Sequence, residues 1–272
     1  MTTQPQNEFY SLSDAEAQRA YVSVRRAAEW VPFFLPHLKP GFSVLDCGCG
    51  VGSITMDIAE LVAPGEVIGI DMDESQLEIA RAHSKQRGLT NITFEQGNIY
   101  QLRFDDNTFD AALAHTLLYH LSDQGRALRE MRRVLKPGGV AAVSDDEFNS
   151  VTYSPENTSW RKLVDLWKKV VLHNGGNPVY SRHLRGLMLE ARFVRAEGHA
   201  VATEHYGTLE ETRRWATIVN GVIRSPDFVK LVIAENWITQ AELNEMYGEI
   251  EKWGERPDAF FAIMYCTAVG WK

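Results

Sequence analysis

The chain has 272 residues, 44% of them hydrophobic and 24% charged, which suits one large globular domain or a domain with an inserted lobe. Its formal net charge of −8 repels phosphate backbones and argues against nucleic acid as a partner. Three cysteines, Cys47, Cys49 and Cys266, form neither a disulfide framework nor a zinc spacing, so a reducing, cytoplasmic setting is expected. The polar start MTTQPQNEFY lacks a signal pattern and no apolar run reaches transmembrane length, so no membrane association is expected.

In chain order, Ser13-Asp14-Ala15-Glu16 reads as a capping box that opens a helical leader, with Ala17, Tyr21, Val24, Ala28 and Val31 at helical spacing until Pro32 and Pro36 break it. A short apolar strand then runs into Asp46-Cys47-Gly48-Cys49-Gly50-Val51-Gly52, and a helix follows over 53–61. Strands over 66–71, 91–96, 108–114 and 140–144 alternate with helices over 74–87 and 124–135. Such alternation predicts an α/β, doubly wound, mostly parallel sheet with helices on both faces. Beyond Asp145 the pattern gives helices over 160–173 and 182–191, a strand over 193–205, three helices over 209–223, 226–236 and 240–253, and a last strand over 259–271. The expected organisation is a leader over 1–41, a core over 42–207 and 258–272, and a helical insertion over 208–257. The insertion is expected to lie above or beside the sheet as a lid. Trp160, Trp167, Trp215, Trp237 and Trp253 sit at helical positions, where core packing is the default and a pocket wall the alternative.

The glycine turn is built for a nucleotide-type ligand. It aims backbone N–H groups and a helix start at one spot and lets a ligand approach the backbone closely. The dinucleotide pattern G-x-G-x-x-G is one residue longer than Gly48-x-Gly50-x-Gly52, which disfavours an NAD(P)-dependent oxidoreductase. Asp71 ends the second strand about 20 residues beyond the turn, where a carboxylate can accept both hydroxyls of a ribose.

These residues, with Gly97-Asn98, Phe109-Asp110 and Leu135-Lys136-Pro137-Gly138-Gly139, resemble the motifs of class I S-adenosylmethionine-dependent methyltransferases over about residues 42–144. Within that class the chain looks like the ubiquinone/menaquinone C-methyltransferase-like (methyltransferase type 11) group of small-molecule enzymes. The resemblance implies a Rossmann-like sheet of seven strands, S-adenosylmethionine as cofactor and S-adenosylhomocysteine as product. It implies that Asp71 holds the ribose and that Met72 and Ile99 pack on the adenine. Asn98 stands where the family often has an Asp that accepts from the adenine amino group. Gly48 and Gly50 would let the methionine part pass, with Asp46 orienting the turn. His115 would lie near the sulfonium. Tyr10, Tyr21 and Arg25 lie on the leader, which folds over the cofactor in such enzymes, and Arg25 could pair with its carboxylate; an exposed helical arginine is the plainer reading.

Methyl transfer from a sulfonium is an in-line displacement, helped by alignment and exclusion of water. A base is needed only where the nucleophile must lose a proton. The candidates follow the fourth strand: His120, His115 and Tyr119, with structural packing as the alternative for each histidine and a pocket wall for the tyrosine. Asp145, Asp146 and Glu147 could hold Mg²⁺, but a metal-dependent site also needs an acid where His115 stands, so no metal is expected. The expected function is methyl transfer to a small organic acceptor, as in secondary metabolism, with the acceptor atom (C, O or N) open. A non-catalytic cofactor-binding subunit is the rival reading. The oligomeric state, homo-oligomer or not, is open.

Overall fold

The computed structural model describes residues 16–272, so Tyr10 and the Ser13 cap lie outside the described residues. The leader forms α1 (Glu16–Ser23) and α2 (Ala27–Trp30). The core then runs β1 (Val44–Cys47), α3 (Ser53–Val62), β2 (Val67–Asp71), α4 (Glu74–Gln86), β3 (Ile92–Gln96), β4 (Phe109–His115), α5 (Gln124–Val134) and β5 (Leu135–Asp146). There follow β6 (Thr152–Ser154), α6 (Thr158–His173), α7 (Leu184–Glu190), β7 (Arg195–Tyr206), α8 (Leu209–Ile223), α9 (Pro226–Ala234), α10 (Gln240–Gly254) and β8 (Phe260–Trp271).

One sheet takes the order β3-β2-β1-β4-β5-β8-β6, with β7 also paired to β8. Strands β1 to β5 are mutually parallel where they pair, and β8 runs antiparallel to β5, β6 and β7. This is the expected doubly wound sheet, carried to eight strands by β6. That strand is three residues long, too short for an alternating pattern to reveal it. The Lys-Pro-Gly-Gly stretch follows the end of α5 at Val134, as its composition predicts, and falls inside the span of β5. Lys136 Nζ holds the Asp110 carboxylate at 2.8 Å, Gly138 takes a left-handed φ of 78°, and the pairing with β4 shifts register between Phe109 and Ala111.

The sheet is buried on both faces, because helices cover both. Alternate residues of β4 show this: Ala111 and Leu113 join one apolar cluster with α3, α6 and α8 to α10, and Ala112 and Ala114 join another with α5 and α7. The insertion α8–α10 therefore packs against the body of the fold. Gly254 lets α10 approach α8 closely, a Cβ there falling 2.6 Å from that of Ala216. Trp253 is 1% exposed, meets Trp160 edge-on at 4.9 Å and donates from Nε1 to Ser154 O at 3.0 Å.

Trp253→Ala should therefore destabilise the fold by about 3–5 kcal/mol, the usual cost of emptying a buried aromatic site. A urea unfolding midpoint lowered without change of slope is the expected observation.

Candidate active site

The carboxyl edge of the parallel strands is where an open α/β sheet binds ligands, and a cavity of about 510 Å³ opens there. Its floor is the turn between β1 and α3. Gly48, Gly50 and Gly52 have φ of 73°, 52° and 75°, a left-handed region costly for other residues. A Cβ on Gly48 would fall 2.9 Å from Leu117 Cδ1, so a larger residue there would also displace that side chain.

Part of this turn's N–H set is bonded inside the fold. Gly48 and Cys49 both donate to Ile70 O, at 2.7 and 3.0 Å, Gly50 donates to Asp71 Oδ2 at 2.9 Å, and Gly52 donates to Cys49 O at 2.9 Å. The start of α3, with Gly52 as an N-cap without a side-chain bond, borders the cavity through Ser53 and Ile54.

Asp71 lines the cavity, its two oxygens also accepting from Gly50 and Asp73. Burial raises its pKa, offset by those N–H donors. Asp46 lines it too and ties β1 to α3, accepting from Thr55 Oγ1 at 2.6 Å. Desolvation pushes its carboxyl up to about 7. Met72, Gly97, Ile99, His115 and Arg25 complete much of the wall. Asn98 is not among the lining residues, and its Oδ1 accepts from Tyr100 N at 2.9 Å, a local turn bond that a short amide readily makes.

A second, smaller cavity of about 130 Å³ shares Val22, Arg25, Thr116 and His120 with the first. Tyr21 lines this cavity and not the larger one. Its hydroxyl donates to Glu204 and lies 3.1 Å from Tyr206 Oη. Arg25 is buried instead of exposed. It pairs with Glu204 Oε1 at 3.6 Å, lies over the Trp30 ring at 4.0 Å, and donates from Nη1 to Thr116 Oγ1 at 3.3 Å. Tyr119, Phe148, Trp167, Trp215 and Phe261 supply aromatic wall. Of the insertion, Trp215 reaches this cavity, and the leader contributes Arg19, Val22 and Arg25 to the larger one.

The two histidines meet different surroundings. His115 is 7% exposed with no hydrogen-bond partner on either ring nitrogen, and stacks on Tyr265 at 6.0 Å. Burial, then the Arg25 charge, holds its pKa well below the ordinary value. His120 packs on the Tyr119 ring at 3.8 Å, and burial lowers its pKa to about 3. Both imidazoles are neutral at pH 7 and weak as bases. The three acids at the end of β5 diverge: Asp145 accepts from Tyr180, Asp146 stands opposite Tyr265 of β8, and Glu147 binds Arg182 Nη2 at 2.5 Å. Among the described residues no group of three such side chains could hold a metal ion. Glu204 and Tyr265 escaped the sequence reading because no motif marks them, and Asp146 enters it only as a candidate Mg²⁺ ligand.

A doubly wound sheet with a glycine turn, the Asp71 carboxylate and two joined cavities at its carboxyl edge suits an enzyme that brings two ligands together. A methyltransferase domain family matches residues 38–186, and the chain belongs to the class I S-adenosylmethionine-dependent methyltransferases. It is 33% identical to the probable methyltransferase ltbC of Aspergillus luteorubrus over 97% of this chain and 95% of that protein. It is 32% identical to an uncharacterized methyltransferase of Schizosaccharomyces pombe over 79% of this chain and 80% of the relative. Its fold is similar to that of the YcgJ protein of Bacillus subtilis, with a TM-score of 0.58 at 19% identity, over 89% of this chain and 97% of that one. The protein is thus a methyltransferase whose cofactor is S-adenosylmethionine. No helix among the described residues is long and apolar enough to cross a membrane.

Because burial disfavours the imidazolium form, His115 and His120 should stay neutral from pH 8 to pH 5. Histidine NMR titration should find two rings that do not shift in that range, one of which is lost from the spectrum of His120→Gln.

Proposed function

We propose that the protein transfers the methyl group of S-adenosylmethionine to a small organic molecule bound in the second cavity. The observation that carries this reading is the junction of the two cavities at Val22, Arg25, Thr116 and His120. A donor site and an acceptor site that share a wall allow in-line approach at contact distance, which is most of what this reaction asks of a protein. When bound, the cofactor supplies an electrophilic methyl group on a positively charged sulfur.

The residues fit that group. Asp71 retains lone pairs for ribose hydroxyls, and Met72 and Ile99 offer apolar surface on either side of an adenine. Gly48 and Gly50 leave the turn open to close approach, while Asp46 keeps the turn in register through Thr55. Arg25 has a buried Nε without a partner, a donor suited to a carboxylate or a developing negative oxygen. His115, neutral and unpartnered, faces the larger cavity without adding a charge that would repel a sulfonium. Tyr119 is wall for the second cavity, and His120 lines the junction. The leader and Trp215 exclude water from that junction, with the insertion over 208–257 serving as the lid's support.

Calorimetry with S-adenosylmethionine, S-adenosylhomocysteine and NAD tests the donor site; binding of NAD and of neither sulfur compound would overturn the reading. Radiolabelled transfer into quinones, phenols, indoles and amines tests the acceptor. Label appearing in protein or RNA and in no small molecule would count against a small acceptor.

Asp71→Ala should weaken S-adenosylmethionine binding by more than about tenfold, because two hydrogen bonds to a charged group are lost. Calorimetry on a variant with unchanged circular dichroism checks it, and an affinity within threefold of wild type would remove Asp71 from the ribose site.

A further inference from the structure

The second cavity has a polar end that methyl transfer through alignment alone does not require. Asp146 and Tyr265 are cross-strand partners on β5 and β8, and Tyr265 favours the charged form of Asp146. The Tyr265 hydroxyl lies 3.1 Å from Glu204 Oε1 and donates to it. A phenol has one proton to give. With that proton directed to Glu204, a neutral Asp146 can donate to the phenol oxygen. When Asp146 is ionised, Tyr265 can turn its proton toward Asp146, and Glu204 keeps Tyr21 and Arg25 as partners. The cluster is therefore able to take up and release one proton at a cavity wall without leaving a buried carboxylate unpartnered.

We propose that Asp146 is the general base of methyl transfer and that the acceptor is a single-ring aromatic with a free hydroxyl. This rests on reading the second cavity as the acceptor site. Three observations carry it. Asp146 and Glu204 both line that cavity. Its volume of about 130 Å³ compares with the roughly 150 Å³ that takes a benzene ring, and its walls are aromatic. Arg25, 7% exposed and with an unpartnered Nε, lines the same cavity and opposes a cationic amine while favouring an oxygen that gains negative charge. In the step, the acceptor O–H bond breaks and its proton goes to the Asp146 carboxylate. The oxygen's electron pair forms the new bond to the methyl carbon, and the S–C bond breaks with its pair left on sulfur, giving S-adenosylhomocysteine.

The groups facing Asp146 set its titration. Glu204 of β7 and Asp145 beside it disfavour its charge, and Tyr265 of β8 and Arg25 of the leader favour it. Tyr180 packs behind, Tyr21 and Tyr206 stand on the far side of Glu204, and the neutral rings of His115 and His120 complete the surroundings. Burial, then the neighbouring Glu204, pushes its carboxyl up to about 7, close to where a base works best at neutral pH.

The test offers phenol, catechol, hydroquinone, aniline and benzylamine to the enzyme with labelled S-adenosylmethionine. Transfer to hydroxylated rings is expected, rising about tenfold per pH unit below about pH 7 and then levelling. Asp146→Asn should lower kcat by about 100-fold or more and abolish the rise, with cofactor affinity within about twofold. In Glu204→Gln, the transfer that remains should rise at lower pH, because the charge that raises Asp146 is gone. Independently of turnover, infrared spectra of the S-adenosylhomocysteine complex should show a protonated-carboxyl band that fades as pH rises through about 7, absent in Asp146→Asn. Transfer to amines only, no transfer to any hydroxylated ring while S-adenosylmethionine binds, or an infrared band indifferent to Asp146→Asn would overturn the proposal. Failure of S-adenosylmethionine to bind would instead remove the function proposed above.

Discussion

Everything at the site depends on how β1 turns into α3. The helix must begin directly over the sheet edge, which forces three left-handed residues into five positions, all glycine. The same geometry sends the turn's N–H groups to Ile70 and Asp71 on the neighbouring strand. The turn is thereby fastened to β2, and Asp71 is held at the cavity by a bond from the turn that it faces.

A second constraint joins the leader to the far side of the sheet. Arg25 and Tyr21 come from the segment at α1, and Glu204 and Tyr265 come from β7 and β8. Their hydrogen bonds and ion pair are buried, where an unmade partner costs more than it does in water. The arginine is further fixed by the faces of Trp30 and Tyr21, with its Cζ 4.0 and 4.9 Å from the ring centroids. The leader is thus seated over both cavities by polar contacts that can be exchanged. Apolar contacts could hold the leader equally well, but could not present a charge to the junction.

Local order in the chain translated well into structure where one element decides its own form. The starts of α8 and α10 follow from Thr208 with Glu211 and Thr239 with Glu242, capping boxes that satisfy their own N–H groups. The insertion's helices begin at the residues the pattern indicates. Neighbours add what the pattern alone does not show: Lys136 to Gly139, which follow the end of α5, are fixed by bonds to Asp110 and Lys272.

The donor half of the site was legible in the chain because its parts are consecutive or repeat at fixed spacing: the glycine turn, the acid ending β2 and the turn after β3 all follow from single βα units. The acceptor half was not. Tyr21 and Glu204 are 183 residues apart, and Asp146 meets Tyr265 only because β8 runs antiparallel beside β5. No spacing encodes that encounter. It arises when the sheet closes and buries four ionisable groups together, and burial then sets which of them can move a proton.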